Sequence, residues 1–127
     1  MSRSFVNSGL ILVVLALAFT VSPVRAEEKI QSIKAPFHVG KIVLACGPVA
    51  QVSRTQKAIH INLDRAYPNQ SLDLVVWTSE AARYELRLGN LSTLTGKTVC
   101  ARGLITEYRN RLQIVMKNPQ YLRLMSR

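Results

Sequence analysis

Gly40-Lys41-Ile42-Val43-Leu44-Ala45-Cys46-Gly47-Pro48-Val49-Ala50-Gln51-Val52 is the stretch on which the reading of this chain turns. It alternates in polarity and is rich in β-formers, which predicts one long strand. Gly47-Pro48 in its middle predicts a bulge or sharp bend, because glycine tolerates unusual dihedrals and proline cannot donate to a ladder. The pattern returns later: Gly40-Lys41-x-Val43-x-Ala45-x-Gly47 is echoed by Gly96-Lys97-x-Val99-x-Ala101-x-Gly103. Two strands under the same demands account for the echo: entry from a turn, small inward residues, and a bend where a closed sheet curves.

Downstream, residues 53–57 (SRTQK) form a polar turn, and AIHINL (58–63) alternates strictly. Ile59, Ile61 and Leu63 share one face; Ala58, His60 and Asn62 share the other. DRAYPNQS (64–71) suits a turn around Pro68-Asn69. LDLVVWT (72–78) is a third strand with Leu72, Leu74 and Val76 inward and Asp73, Val75 and Trp77 outward. SEAARYELRL (79–88) holds the best helix formers, with Ser79 as a candidate cap, Glu80 in the first turn, and Gly89-Asn90 as the stop. GKTVCARGLITEY (96–108) is a fourth strand, YRNR (108–111) a tight connection, and RLQIVMK (111–117) a fifth strand. In the fifth, Leu112, Ile114 and Met116 oppose Arg111, Gln113 and Val115. NPQYLRLMSR (118–127) closes the chain with a short final strand.

Upstream, residues 1–26 run from a positive start at Arg3 through an apolar run, Leu10 to Val21, to Val24-Arg25-Ala26. That order is a secretory signal, cleaved near Ala26. The run is shorter than the roughly 20 residues that span a bilayer, so no stable membrane insertion is expected after cleavage. Residues 27–39 read as a polar N-terminal arm and 40–127 as one domain. The chain is strongly basic, with 17 Lys and Arg against 7 Asp and Glu. Loss of Arg3 and Arg25 with the signal leaves a net charge of +8, which favours polyanionic partners such as nucleic acid, anionic headgroups or acidic polysaccharide. Cys46 and Cys100 are an even pair in a chain read as periplasmic or secreted, which suggests a disulfide, with two buried free thiols as the alternative.

Five short strands with one short helix between the third and fourth is the layout of the OB-fold, a mainly β, five-stranded Greek-key barrel. The chain resembles the bacterial exported OB-fold modules that bind nucleic acid, found alone or beside secreted nuclease domains. The likeness rests on the strand from Gly40 to Val49, Tyr67-Pro68-Asn69-Gln70, Gly96-Lys97-Thr98-Val99, Arg102-Gly103, and Tyr108-Arg109-x-Arg111-x-Gln113-Ile114. It covers about residues 40 to 122. The resemblance implies that the first and fourth strands lie side by side. Cys46 and Cys100 would then face each other, on the parity opposite to Val43, Ala45, Val99 and Ala101. Those modules often lack the two cysteines.

The resemblance also implies a ligand face on the second and third strands, flanked by the first and last hairpin loops. Arg54, Lys57 and His60 lie around the first hairpin, and Arg109, Arg111 and Gln113 on the last. Tyr67, Trp77 and Tyr108 are the candidate rings for base stacking. For Trp77 the first reading is a cap of the barrel beneath the helix, and a stacking ring is the other. His38 and His60 lie in no catalytic pattern, the carboxylates are scattered, and no metal-ligand cluster or glycine-rich phosphate loop occurs. The expectation is therefore no enzyme, no cofactor and no metal. A binding protein of the cell envelope for single-stranded nucleic acid or another polyanion comes first. A stress-tolerance module for protein, glycan or a small ligand, with no nucleic-acid role, is the alternative.

Overall fold

A computed structural model describes residues 15–18 and 27–125. The signal-peptide reading of residues 1–26 falls almost wholly outside them. Among the described residues no helix is long and apolar enough to cross a membrane.

The strands are β1 (Glu28–Gln31), β2 (Ile42–Arg54), β3 (Ala58–Leu63), β4 (Leu72–Trp77), β5 (Thr98–Tyr108), β6 (Arg111–Val115) and β7 (Leu122–Leu124), with α1 (Ala81–Leu88) between β4 and β5. The barrel closes in the order β2-β3-β4-β6-β5 and back to β2. All of its pairings are antiparallel except β4 with β6. These are the five expected barrel strands in the expected order, with the helix between the third and fourth. The inward set follows the alternation read from the sequence: Ile59, Ile61, Leu63, Leu72, Leu74, Val76 and Ile114 are all buried in one core.

The long strand β2 serves two sheets. Its first half pairs with β5 and its second half with β3. The register shift falls between Val49 and Gln51, not at Gly47-Pro48, which stay in the ladder opposite Val99 and Thr98. Gly47 is required for another reason: a Cβ there would overlap the Ser32 side chain. Ser32 is buried and donates to Asp64 Oδ2 at 2.7 Å. The echo in the sequence has a direct structural cause, because its two copies pair with each other. Val43 lies opposite Gly103, Ala45 opposite Ala101, and Gly47 opposite Val99. Gly40 and Gly96, which open the copies, both have φ of 83°, where a side chain would be strained. Cys46 lies opposite Cys100, and the two form the disulfide.

Two local expectations need correction. Ser79 does not cap α1; it lies inside a 3-10 turn, Thr78–Glu80, and Glu80 at the cap position makes no side-chain capping bond. Ala81 and Tyr84 bury the inner face of the helix, and Gly89 ends it at φ 76°. Residues 27–39 are also more than an arm. β1 runs parallel to β2, a 3-10 helix follows over Ser32–Phe37, and Ile30 and Ala35 join the core. At the other edge β7 pairs with β5.

Candidate functional site

One wall of the barrel is built from β3, β4 and β6. Its outward residues are aligned by the ladder: Ala58 opposite Trp77, His60 opposite Val75, Asn62 opposite Asp73, and on the parallel side Asp73 opposite Gln113 and Val75 opposite Val115. Ala58, Asn62, Asp73 and Val75 are buried although they point away from the core. That burial means the wall is concave and its rim rises around it. Two adjoining depressions occupy it, about 410 and 260 Å³, the larger in the size range of small-ligand sites. They share Thr55, His60, Asp73 and Arg111.

The rim carries the aromatic rings. Tyr67, Trp77 and Tyr108 are 58%, 46% and 51% exposed. Tyr108 ends β5, and a two-residue hairpin follows in which Arg109 and Asn110 both have positive φ, 50° and 62°. Such a turn matches the strand twist and holds Tyr108 opposite Arg111. The Arg109 guanidinium lies 5.2 Å from the centre of the Tyr108 ring. The Arg111 guanidinium lies 4.9 Å from that of Tyr67. Tyr67 is placed by its backbone N–H, which donates to Gln51 Oε1 at 2.9 Å. The same oxygen accepts from Asn62 Nδ2 at 3.2 Å.

Lys57, His60, Tyr67, Trp77, Tyr108, Arg111 and Gln113 thus line the two depressions. Trp77 stands on this wall and is not a barrel cap beneath the helix. Two sequence-derived candidates are not part of the lining. Arg54 donates to Glu85 Oε1 at 3.2 Å, tying the end of β2 to α1. Arg109 is at the hairpin tip, beside the wall.

The floor holds what sequence reasoning missed. Asp73 Oδ2 is 2.7 Å from His60 Nδ1. Burial pushes the Asp73 carboxyl above its ordinary value of 3.8, and the hydrogen bond and charge of His60, with the Arg111 guanidinium, pull it partly back. Asp73 was legible as an outward residue. Its pairing with a histidine was not, because the register between β3 and β4 decides which outward residues meet. Among the described residues no group of three His, Cys, Asp or Glu could hold a metal ion.

No protein-family model and no curated protein matches this chain. Solved structures do match in shape. The S. pombe Stn1-Ten1 complex superposes with a TM-score of 0.51 at 15% identity, over 68% of this chain and 59% of that one. An OBody, AM1L10, bound to hen egg-white lysozyme gives 0.56 at 10% identity, over 82% of this chain and 99% of that one. A putative aspartyl-tRNA synthetase from Leishmania major gives 0.53 at 12% identity, over 84% of this chain and only 22% of that one. With the closed barrel, its single parallel pairing and the helix position, the fold is settled. It is an OB-fold. Identities this low carry the fold and nothing finer.

Proposed function

We propose that the protein is a non-enzymatic binding protein of the cell envelope that takes single-stranded nucleic acid across the β3-β4-β6 wall. The observation that carries this is the gathering of Tyr67, Trp77 and Tyr108, all half-exposed, with Lys57 and Arg111 along two adjoining depressions, and with Arg109 at the hairpin tip beside them. Rings accept bases of any sequence, and cations beside them track the phosphates. The wall is the one OB-folds use for oligonucleotides, between the first and last hairpin loops. One of the similar barrels belongs to a chain named as a tRNA synthetase, which agrees with the same ligand class. The net charge supports it as well.

Export is supported by the order of residues 1–26 and by a disulfide suited to an oxidising compartment.

The test is a fluorescence-anisotropy titration of the folded domain with mixed-sequence single-stranded DNA, RNA and heparin over a range of salt. Lys57 and Arg111 on the wall, with Arg109 beside it, give an expected slope of log K against log salt of about −2 for a single strand. Saturable binding to DNA or RNA with that slope supports the reading. Binding to heparin alone, or salt-independent binding, overturns it.

A further inference from the structure

The wall is basic at its rim and acceptor-rich at its floor. Asn62 and Asp73 are 1% and 7% exposed, sit opposite each other on β3 and β4, and point into the concave side. Each has one side-chain oxygen, Oδ1, that is buried without any hydrogen-bond partner. Their other polar atoms are engaged: Asn62 Nδ2 donates to Gln51 and Asp73 Oδ2 pairs with His60. A binding wall for a polyanion gains nothing from a carboxylate placed to repel phosphate. Two neighbouring acceptors without donors suit a ligand that brings donors.

Resting on the nucleic-acid reading above, we propose that this floor selects guanine among the bases the wall stacks. The argument is one of donor pattern. The Watson–Crick edge of guanine presents two adjacent donors, N1–H and the 2-amino group, followed by the O6 acceptor. Thymine and uracil offer a single imino donor between two carbonyl oxygens, which would face the Asp73 carboxylate unfavourably. Cytosine and adenine offer one amino group beside a ring acceptor. Guanine alone matches two acceptors side by side. Arg111 lines both depressions and carries the donors that O6 takes. The base stacks on the rim rings and turns its edge to the floor. The two oxygens are buried in the free protein, so binding requires neighbouring side chains of the wall to move aside. The contact that Arg111 gives up over Tyr67 is a weak one at an exposed site.

The experiment compares three oligothymidine strands by anisotropy at one fixed low salt. One is all thymidine; the others carry a single central deoxyguanosine or deoxyinosine, which lacks only the 2-amino group. The guanine strand is expected to bind about tenfold more tightly than the thymidine strand, and the inosine strand to lose most of that gain. In Asp73→Asn the ratio of guanine to thymidine affinity is expected to fall to about one. Equal binding of all three strands by the native protein overturns guanine selection while leaving the nucleic-acid reading intact. An unchanged ratio in Asp73→Asn overturns the role of the carboxylate. Failure to bind any strand overturns both. The inosine comparison changes only the ligand, so it decides the matter even if the variant does not fold.

Discussion

The two walls of this barrel are built on opposite terms. Along the β2–β5 seam, small residues face inward, a repeated Gly-Lys-x-Val-x-Ala-x-Gly pattern pairs with itself, and Cys46 is bonded to Cys100. Every feature there shortens the distance between two strands or ties them together. The β3-β4-β6 wall does the reverse. It half-exposes three aromatic rings, stacks guanidinium groups on two of them, and buries a carboxylate under them with one oxygen unpaired. The seam holds the barrel closed, and the stability it supplies lets the other wall carry groups that cost stability. In a domain of about a hundred residues that division matters, since the net stability of such domains is only about 5–15 kcal/mol.

The largest expected effect breaks the seam. The disulfide joins residues 54 apart in sequence, and closing a loop of that length contributes about 4 kcal/mol by the chain-entropy argument. Replacing Cys46 and Cys100 together by alanine is expected to lower the melting temperature by roughly 15–30 °C. At a temperature where the variant stays folded, calorimetry and binding should show the wall unaltered. A shift under a few degrees would mean that the seam does not carry the barrel.

The next effect falls on the wall alone. Tyr108→Ala combined with Arg111→Ala removes a ring and a cation and is expected to weaken oligonucleotide binding by at least tenfold, since stacking is worth about 1–3 kcal/mol per base. The melting temperature should change little, because neither side chain is in the core. Binding retained at full strength would move the ligand off this wall.

A smaller effect concerns Asp73, and its sign runs against the usual acid-denaturation pattern. The folded carboxyl is raised above 3.8, so the folded protein holds this proton more tightly than the unfolded chain does. That contribution to stability is complete below about pH 3.8 and is lost as pH rises through the folded value. Above the folded value the ionised group is a cost to folding. Asp73→Asn, which can keep the hydrogen bond to His60, is expected to melt above the native protein at pH 7. The gap should close as pH approaches 3.8. A variant that melts lower at pH 7 would make the His60–Asp73 pair a structural element and not a functional expense.

The smallest effect separates Arg54 from the wall. Its contact with Glu85 is partly exposed, so Arg54→Ala should cost no more than about 1 kcal/mol. It should leave oligonucleotide affinity unchanged. A clear loss of affinity would return Arg54 to the site.

The sequence alone determined the five barrel strands, their succession along the chain and which side of each faces inward. Period-two alternation is a local property, and a chain that must bury Ile59, Ile61 and Leu63 has only one way to orient His60 and Asn62. The cysteines on matching parity, and a tyrosine beside arginines in a two-residue hairpin, were legible for the same reason. The tertiary structure decided everything that depends on register and curvature. Whether Trp77 caps the core or stands on the wall, that Arg54 turns to Glu85, that the bend lies past Pro48, and that Asp73 finds His60 all depend on which residues of different strands come opposite one another. Those partners are set by how far each strand is shifted when the sheet closes on itself, a quantity that no single strand's sequence contains.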